Sequence, residues 1–362
     1  MESESGAARV SFVDRPAKAR RVGPAAPGTW LLTGGAGYIG AHVARALRSA
    51  GHPVVLLDDL STGSVDRVGD LPLVEASVLD SPEATAARLL EHQVTGIVHL
   101  AARKSVPESL LKPHWYYEIN VVGTLRLMEA AVLAGVTQLI YSSTAAVYGT
   151  APERPITEDD ATDPANPYGE SKLAAEWIVR RMAETSGMSW TALRYFNAAG
   201  CADGIRGDGT APNLIPRAIS HVMHGDPVPV FGGDWPTPDG SSVRDYVHVE
   251  DIAEAHCAAV RHMENSGRGA GVLNVGRGCG VSVHDVLETI ARLSGRSVKM
   301  VITGRRPGDV PAVVADASRI ATRLGWSARH DLDSMVGSSI AAWLSSHPPA
   351  RPALRERIVE PA

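Results

Sequence analysis

Thr33-Gly34-Gly35-Ala36-Gly37-Tyr38-Ile39-Gly40 follows an apolar run, Trp30-Leu31-Leu32, and opens into Ala41-His42-Val43-Ala44-Arg45-Ala46-Leu47, whose composition favours a helix. Glycines at 34, 37 and 40 let the chain turn sharply, let backbone N–H groups approach a pyrophosphate, and let the helix pack close to the strand. The helix N-terminus adds partial positive charge. Strand, glycine turn and helix in this order are the context that a dinucleotide-binding motif requires. A glycine triplet by itself is equally an ordinary turn. The next apolar run, Val54-Val55-Leu56-Leu57, ends in Asp58, eighteen residues past Gly40. A carboxylate there accepts the ribose hydroxyls of NAD and repels the 2′-phosphate of NADP. The chain continues Asp59-Leu60-Ser61, with no Arg to favour that phosphate.

Short apolar runs then alternate with helical stretches. Strands are predicted at Leu73-Val74, Gly96-Ile97-Val98-His99-Leu100, Leu139-Ile140-Tyr141-Ser142 and Thr191-Ala192-Leu193-Arg194-Tyr195, and helices notably over 121–133 and 171–183. Such alternation implies an α/β fold, a doubly wound parallel (Rossmann) sheet with ligands at the carboxyl ends of its strands. From about Gly200 the regularity falters, and dense Gly and Pro over 203–240 read as long loops. The expected organisation is a disordered extension over 1–27, an NAD-binding domain over 28–200, and a tail over 346–362. Residues 201–345 would form mainly a smaller α/β substrate domain, with the chain crossing back to the first. No internal repeat is present.

Composition fits a soluble enzyme: 44% of the 362 residues are hydrophobic, enough for an ordinary core, and no apolar run approaches the ~20 residues that span a bilayer. Met1-Glu2-Ser3-Glu4 opens without an apolar stretch, so no secretory signal and no membrane association are expected. A net charge of −5 without a basic stripe argues against nucleic acid. Cys201, Cys257 and Cys279 lack metal or disulfide spacing, which suggests a reducing, cytoplasmic setting. His221 and His224 stand at i, i+3 with no third ligand nearby, so no metal site is expected.

Asn166-Pro167-Tyr168-Gly169-Glu170-Ser171-Lys172 carries the chemistry. On a helix starting at Pro167, Tyr168 and Lys172 share one face. A Tyr of pKa about 10 needs about 4 kcal/mol of preference for phenolate to act as a base near pH 7. One unit charge at ~4 Å supplies about that at an effective dielectric near 20. Lys172 and a positively charged nicotinamide are the candidate sources. Alone, Tyr-x-x-x-Lys is more often a packing Tyr beside a solvated Lys; the surrounding motifs reverse that.

With these pieces placed, the chain resembles the extended short-chain dehydrogenase/reductase family, and within it the NAD-dependent UDP-sugar 4-epimerases, over roughly residues 29–345. The resemblance rests on Thr33 to Gly40, Leu57-Asp58-Asp59-Leu60, Leu100-Ala101-Ala102-Arg103-Lys104, Ser142-Ser143-Thr144-Ala145-Ala146-Val147-Tyr148-Gly149, Tyr168 to Lys172 and Arg194-Tyr195-Phe196-Asn197. Its most discriminating stretch is Pro236-Thr237-Pro238-Asp239-Gly240-Ser241-Ser242-Val243-Arg244-Asp245-Tyr246-Val247-His248-Val249-Glu250-Asp251.

The resemblance implies interconversion of UDP-glucose and UDP-galactose through a transient 4-keto sugar. Tyr168 would be the base, Lys172 its electrostatic partner, and Thr144 the bridge to the sugar 4-oxygen. Cofactor contacts would come from Gly34, Gly37, Tyr38, Ile39, Gly40, Asp58, Asp59, Ser77, Val78, Ala101, Lys104, Asn120, Ser142 and Tyr195, besides Tyr168 and Lys172. Asn197, Asn213, Leu214, Phe231, Arg244, Arg306 and Asp309 match positions that hold uridine and diphosphate. Paired guanidiniums also make independent sense against phosphate oxygens, although any single Arg is as readily a surface salt bridge. Ser77 replaces the Asp that commonly holds the adenine amino group, and Ala198-Ala199 replace Pro and Val. Val313 stands where a bulky Tyr goes with exclusion of N-acetylated sugars, so UDP-N-acetylglucosamine is an expected second substrate. Homodimers are usual in the family, through helices that would include 121–133 and 171–183.

Two alternatives remain. A 4,6-dehydratase needs an acid and a base just after Thr144, where Ala145 and Ala146 cannot transfer protons. A non-catalytic NAD-binding regulator tends to lose the Tyr or Lys, and both are present.

Overall fold

The computed structural model describes residues 28–149, 154–202, 204, 205, 207, 213–306 and 309–347; the expected N-terminal extension and all of the expected tail from residue 348 on lie outside these. Strand β1 (Thr29–Thr33) passes through the glycine turn into helix α1 (Tyr38–Ser49), and β2 (Val54–Asp58) follows. Both strands are almost wholly buried, which is why they read as continuous Val/Leu runs and not as an alternation: helices cover both faces. Then come β3 (Leu73–Glu75), α2 (Pro82–Glu91) and β4 (Val94–His99). Short helices α3 (Val106–Leu111) and α4 (Pro113–Tyr116) lead through a π-helical turn, Tyr117–Val122, into α5 (Gly123–Leu133).

Strand β5 (Gln138–Thr144), helix α6 (Pro167–Ser186) and β6 (Ser189–Tyr195) follow. The Asn166 side chain caps α6 by accepting the Gly169 N–H, with Pro167 at the first helical position, where its missing donor costs nothing. That start fixes the register that puts Tyr168 and Lys172 one turn apart.

Beyond β7 (Asn197–Ala199), the structure corrects the expectation of long loops over 203–240. Helix α7 (Leu214–His224) and strand β8 (Val228–Phe231) lie inside that stretch. Ile215, Ala218, Ile219 and Val222 form a helical buried face. Pro216 is tolerated because it sits in the first turn, where N–H groups have no intrahelical partner. The chain continues through β9 (Val243–His248), α8 (Val249–Ser266), β10 (Gly271–Val275), β11 (Gly280–Ser282) and α9 (Val283–Ser294). It ends with β12 (Met300–Thr303), β13 (Ala312–Val313), α10 (Ser318–Leu324) and α11 (Leu332–Ser346).

The main sheet is parallel, with seven strands in the order β10-β6-β5-β4-β1-β2-β3. β10 thus comes from far downstream to pair with β6, and α8 packs against α1 beneath the same sheet. Leu31 and Leu32 point to opposite faces: Leu32 joins the layer under α1 and α8, and Leu31 the layer under α2, α5 and α6. The strand order reverses between β1 and β4, and the crevice at that point is where open α/β sheets bind ligands. A second core, with Ile219, Val228, Val286, Ile290 and Val336, gathers α7, α9 and α11 around β8 and β9.

Candidate active site

A cavity of about 950 Å³ runs across the carboxyl ends of the sheet, from the glycine turn to α7 and β8. Of the residues singled out in the sequence, all but Ser77 and Asn120 line it. At the glycine turn, Gly34 has φ +69°, and a Cβ there would meet the Ala101 nitrogen at 2.7 Å; at Gly40 it would meet the Gly34 carbonyl oxygen at 2.2 Å. No larger residue fits either place. Asp58, 6% exposed, accepts N–H bonds from Ala36 (3.0 Å) and Leu60 (2.9 Å). Burial raises its pKa, and those two bonds oppose the rise. Arg67, which the motif did not reveal, lines the same end and donates to the Gly207 carbonyl at 2.9 Å.

Ser77 Oγ accepts the Leu79 N–H at 3.2 Å, while its neighbours Ala76 and Val78 face the cavity. Asn120 is 1% exposed within the π-helical turn. It bonds the Arg103 backbone through both N–H and C=O and donates to Ser171 Oγ at 2.9 Å, so it braces the wall from behind. His99 is also buried, with ring nitrogens 2.7 Å from Thr33 Oγ1 and 2.9 Å from Thr124 Oγ1. Burial, assisted by the Lys172 charge, pushes its pKa down to about 3, which keeps it a neutral tie between turn and helix.

Tyr168 and Lys172 face the middle of the cavity from α6, and Thr144 meets them from the end of β5. Burial raises the Tyr168 pKa, opposed by its hydrogen bond with Thr144. Burial lowers the Lys172 pKa to about 7, opposed by the charge of Glu176. Lys172 Nζ lies 4.4 Å from the centre of the Tyr141 ring, and Tyr116 packs edge-on against Tyr168 at 6.4 Å. Burial therefore works against both charged forms of the reactive pair, so further positive charge beside the phenol is required to hold phenolate at neutral pH. Behind them, Arg194 grips both oxygens of Glu176 at 2.9 and 2.7 Å, and Ser143 Oγ donates to the same carboxylate.

At the far end, Asn197 comes from β7, Asn213 and Leu214 from the start of α7, Phe231 from β8, Arg244 from β9 and Val313 from β13. Val313 pairs in register with Arg244 and packs toward Val147, Leu173 and Phe196. Arg244 lies 3.9 Å from Asp309, and the Arg306 guanidinium sits 3.6 Å from the Phe231 ring centre. Arg217, absent from the sequence-based set, lines this end too, 5.3 Å from the same ring.

Away from the cavity, His248, Glu250 and His330 bring possible metal ligands together. The ring nitrogens of His248 are already committed, to the Glu250 N–H and to Ser338 Oγ, both at 3.1 Å. His221 and His224 are bonded to the carbonyls of Pro227 and Ser220. Among the described residues no helix is long and apolar enough to cross a membrane.

The glycine cradle, the carboxylate at the end of β2 and the phenol–ammonium pair fit an NAD molecule. Residues 30–276 match the model of the NAD dependent epimerase/dehydratase family. The chain is 43% identical over 317 residues to a UDP-glucose 4-epimerase of Azospirillum brasilense, covering 86% of this chain and 90% of that one. A crystal structure of the Stenotrophomonas maltophila UDP-glucose 4-epimerase, with bound NAD and formylated UDP-arabinopyranose, superposes with a TM-score of 0.85 at 36% identity. It covers 88% of this chain and 98% of that one. The Bifidobacterium longum UDP-glucose 4-epimerase, in complex with NAD+ and UDP, gives 0.82 at 35% identity over 88% and 99%. Likeness in sequence and in shape over nearly the whole described region, on the frame that carries the glycine turn and the Tyr168–Lys172 pair, shows that the chain belongs to the NAD dependent epimerase/dehydratase family.

Proposed function

We propose that the protein interconverts UDP-glucose and UDP-galactose by transient oxidation at sugar C4, with NAD held in the glycine-turn half of the cavity. One observation carries the reading: a single cavity has Tyr168 and Thr144 at its middle, a dinucleotide-shaped cradle at one end and guanidiniums at the other. NAD, when bound, supplies reversible two-electron oxidation and the positive charge that the buried pair lacks. Tyr168, as phenolate, takes the proton of the 4-hydroxyl. Thr144 holds the 4-oxygen and the Tyr168 oxygen in one line. Lys172 stabilises the phenolate through its charge. Arg244 and Arg306 grip the diphosphate, so that the keto sugar turns while the nucleotide stays fixed. Tyr168 then returns the same proton to the 4-oxygen as C4 regains hydride on the face opposite to the one that lost it.

Ala145 and Ala146 line the cavity where elimination of water needs a proton donor and acceptor, which favours epimerisation over dehydration. Val313 leaves room beside the sugar, supporting UDP-N-acetylglucosamine as a second substrate. We further infer a cytoplasmic homodimer, in which α5 and α6 pair with a second copy. Val122, Leu125, Val132, Leu133 and Trp177 expose apolar surface on and beside those helices, and all three cysteines are free. The main sheet forms the NAD-binding part, and the second core, with α7, β8, β9 and β13, the substrate part. The test is incubation of the purified protein with UDP-galactose and chromatography of the products. UDP-glucose is expected; a 4-keto-6-deoxy product would make it a dehydratase, and no turnover by NAD-containing protein would remove the catalytic reading.

A further inference from the structure

We propose that Arg217 is a third diphosphate-binding guanidinium, acting beside Arg244 and Arg306. The proposal rests on the UDP-sugar reading above. Arg217 stands three residues past Leu214 on α7, so the two share the helix face turned to the cavity, and both line it. Its guanidinium lies 5.3 Å from the Phe231 ring centre, and the Arg306 guanidinium 3.6 Å from the same centre. Two like charges are thus gathered about one aromatic ring. Arg217 Nε is buried without a hydrogen-bond partner, and among the described residues Arg217 makes no ion pair. Asp309, 3.9 Å from Arg244, is the carboxylate at this end of the cavity. Three guanidiniums against one carboxylate leave two surplus positive charges, the charge that a diphosphate diester neutralises. The pKa of Arg217 is lowered, chiefly by burial and secondly by the Arg306 charge.

An arrangement of like charges around a half-buried ring is unfavourable until an anion enters. A guanidinium then gives a charge-assisted bond to phosphate that a neutral side chain cannot replace. The functional consequence follows from the chemistry: a sugar that must be released and turned needs its nucleotide held by contacts that do not involve the sugar, and Arg217 adds one.

The test is calorimetric titration of UDP into the full chain at low and high salt, for the parent, Arg217→Gln and Arg217→Lys, with steady-state rates on UDP-galactose. Arg217→Gln is expected to weaken UDP by about tenfold at low salt. It should also lessen the salt dependence, and raise KM with kcat within about twofold of the parent, since the contact is equal in ground and transition states. Arg217→Lys should recover part of the affinity and the salt dependence. Loss of affinity with unchanged salt dependence and no recovery by Lys would assign a merely structural role and overturn the proposal. So would UDP affinity equal to the parent's in Arg217→Gln. If the parent itself neither binds UDP nor turns over UDP-galactose, it is the underlying reading that fails.

Discussion

Replacing Glu176 by Gln tests how the helix that carries Tyr168 and Lys172 is anchored. Glu176 and Arg194 are both 5% exposed and joined by two hydrogen bonds, of 2.9 and 2.7 Å. A Gln offers one oxygen in place of two and turns an NH2 toward the guanidinium. Arg194 would remain a buried cation with no carboxylate, and its Nη1 already lacks a partner. The Tyr148 ring, 4.8 Å away, is the other group facing it. Breaking one half of a buried pair costs about 3–5 kcal/mol. That is a large part of the ~5–15 kcal/mol that stabilises a folded protein, and for a chain of this length it corresponds to a fall in Tm of about 4–7 °C. Denaturation of the NAD-containing protein, followed by circular dichroism, measures it. The double variant Glu176→Leu with Arg194→Met removes both charges together and is expected to regain most of the loss. A second readout is the pH profile. Burial takes the Lys172 pKa down to about 7 and the Glu176 charge opposes that, so in Glu176→Gln the ammonium is lost at a lower pH as pH rises. Activity relative to the parent should then fall more at pH 8 than at pH 6. A single variant within about 1 kcal/mol of the parent, or an unshifted high-pH limb, would refute the reasoning.

Three further outcomes are expected. Tyr168→Phe should lose at least about 10²-fold in kcat, the low end for a positioned acid/base, and Thr144→Ala should also slow turnover; near-normal rates in the Phe variant would take Tyr168 out of the mechanism. The nucleotide extracted from purified protein should be NAD, because the Asp58 carboxylate faces the ribose end of the cavity; recovery of mainly NADP would overturn this. Val313→Tyr should abolish turnover of UDP-N-acetylglucosamine while sparing much of that of UDP-glucose, since steric overlap discriminates more strongly than the ~1–3 kcal/mol of a missing methylene; equal loss of both would mean that Val313 only packs.

The nucleotide half was legible because its strands are continuous apolar runs and its turn has glycines where backbones meet. Helix α7 was hidden by a count of Gly and Pro over a wide window, although Ile215, Ala218, Ile219 and Val222 keep helical spacing. A linear motif locates a residue along the chain but not the direction of its side chain. The wider π-helical turn carries Asn120 behind the wall, and the Leu79 N–H occupies Ser77. Glu176 was within reach of sequence reasoning, one turn past Lys172 on the same face. Arg217 was not, because it belongs to no motif and only the packing of α7 brings it to Phe231.

The placement of β10 beside β6 has a consequence for synthesis. Some 80 residues separate Tyr195 from Val275, and α8, which covers one side of α1, emerges in between. A ribosome adding about 5–20 residues per second leaves the β6 edge unpaired for roughly 4–16 s, and the α1 face bare for longer still, until α8 is made. The nascent amino-terminal half therefore passes through an interval with an open strand edge, the state most exposed to aggregation, and a shortened chain ending near residue 200 would never leave it.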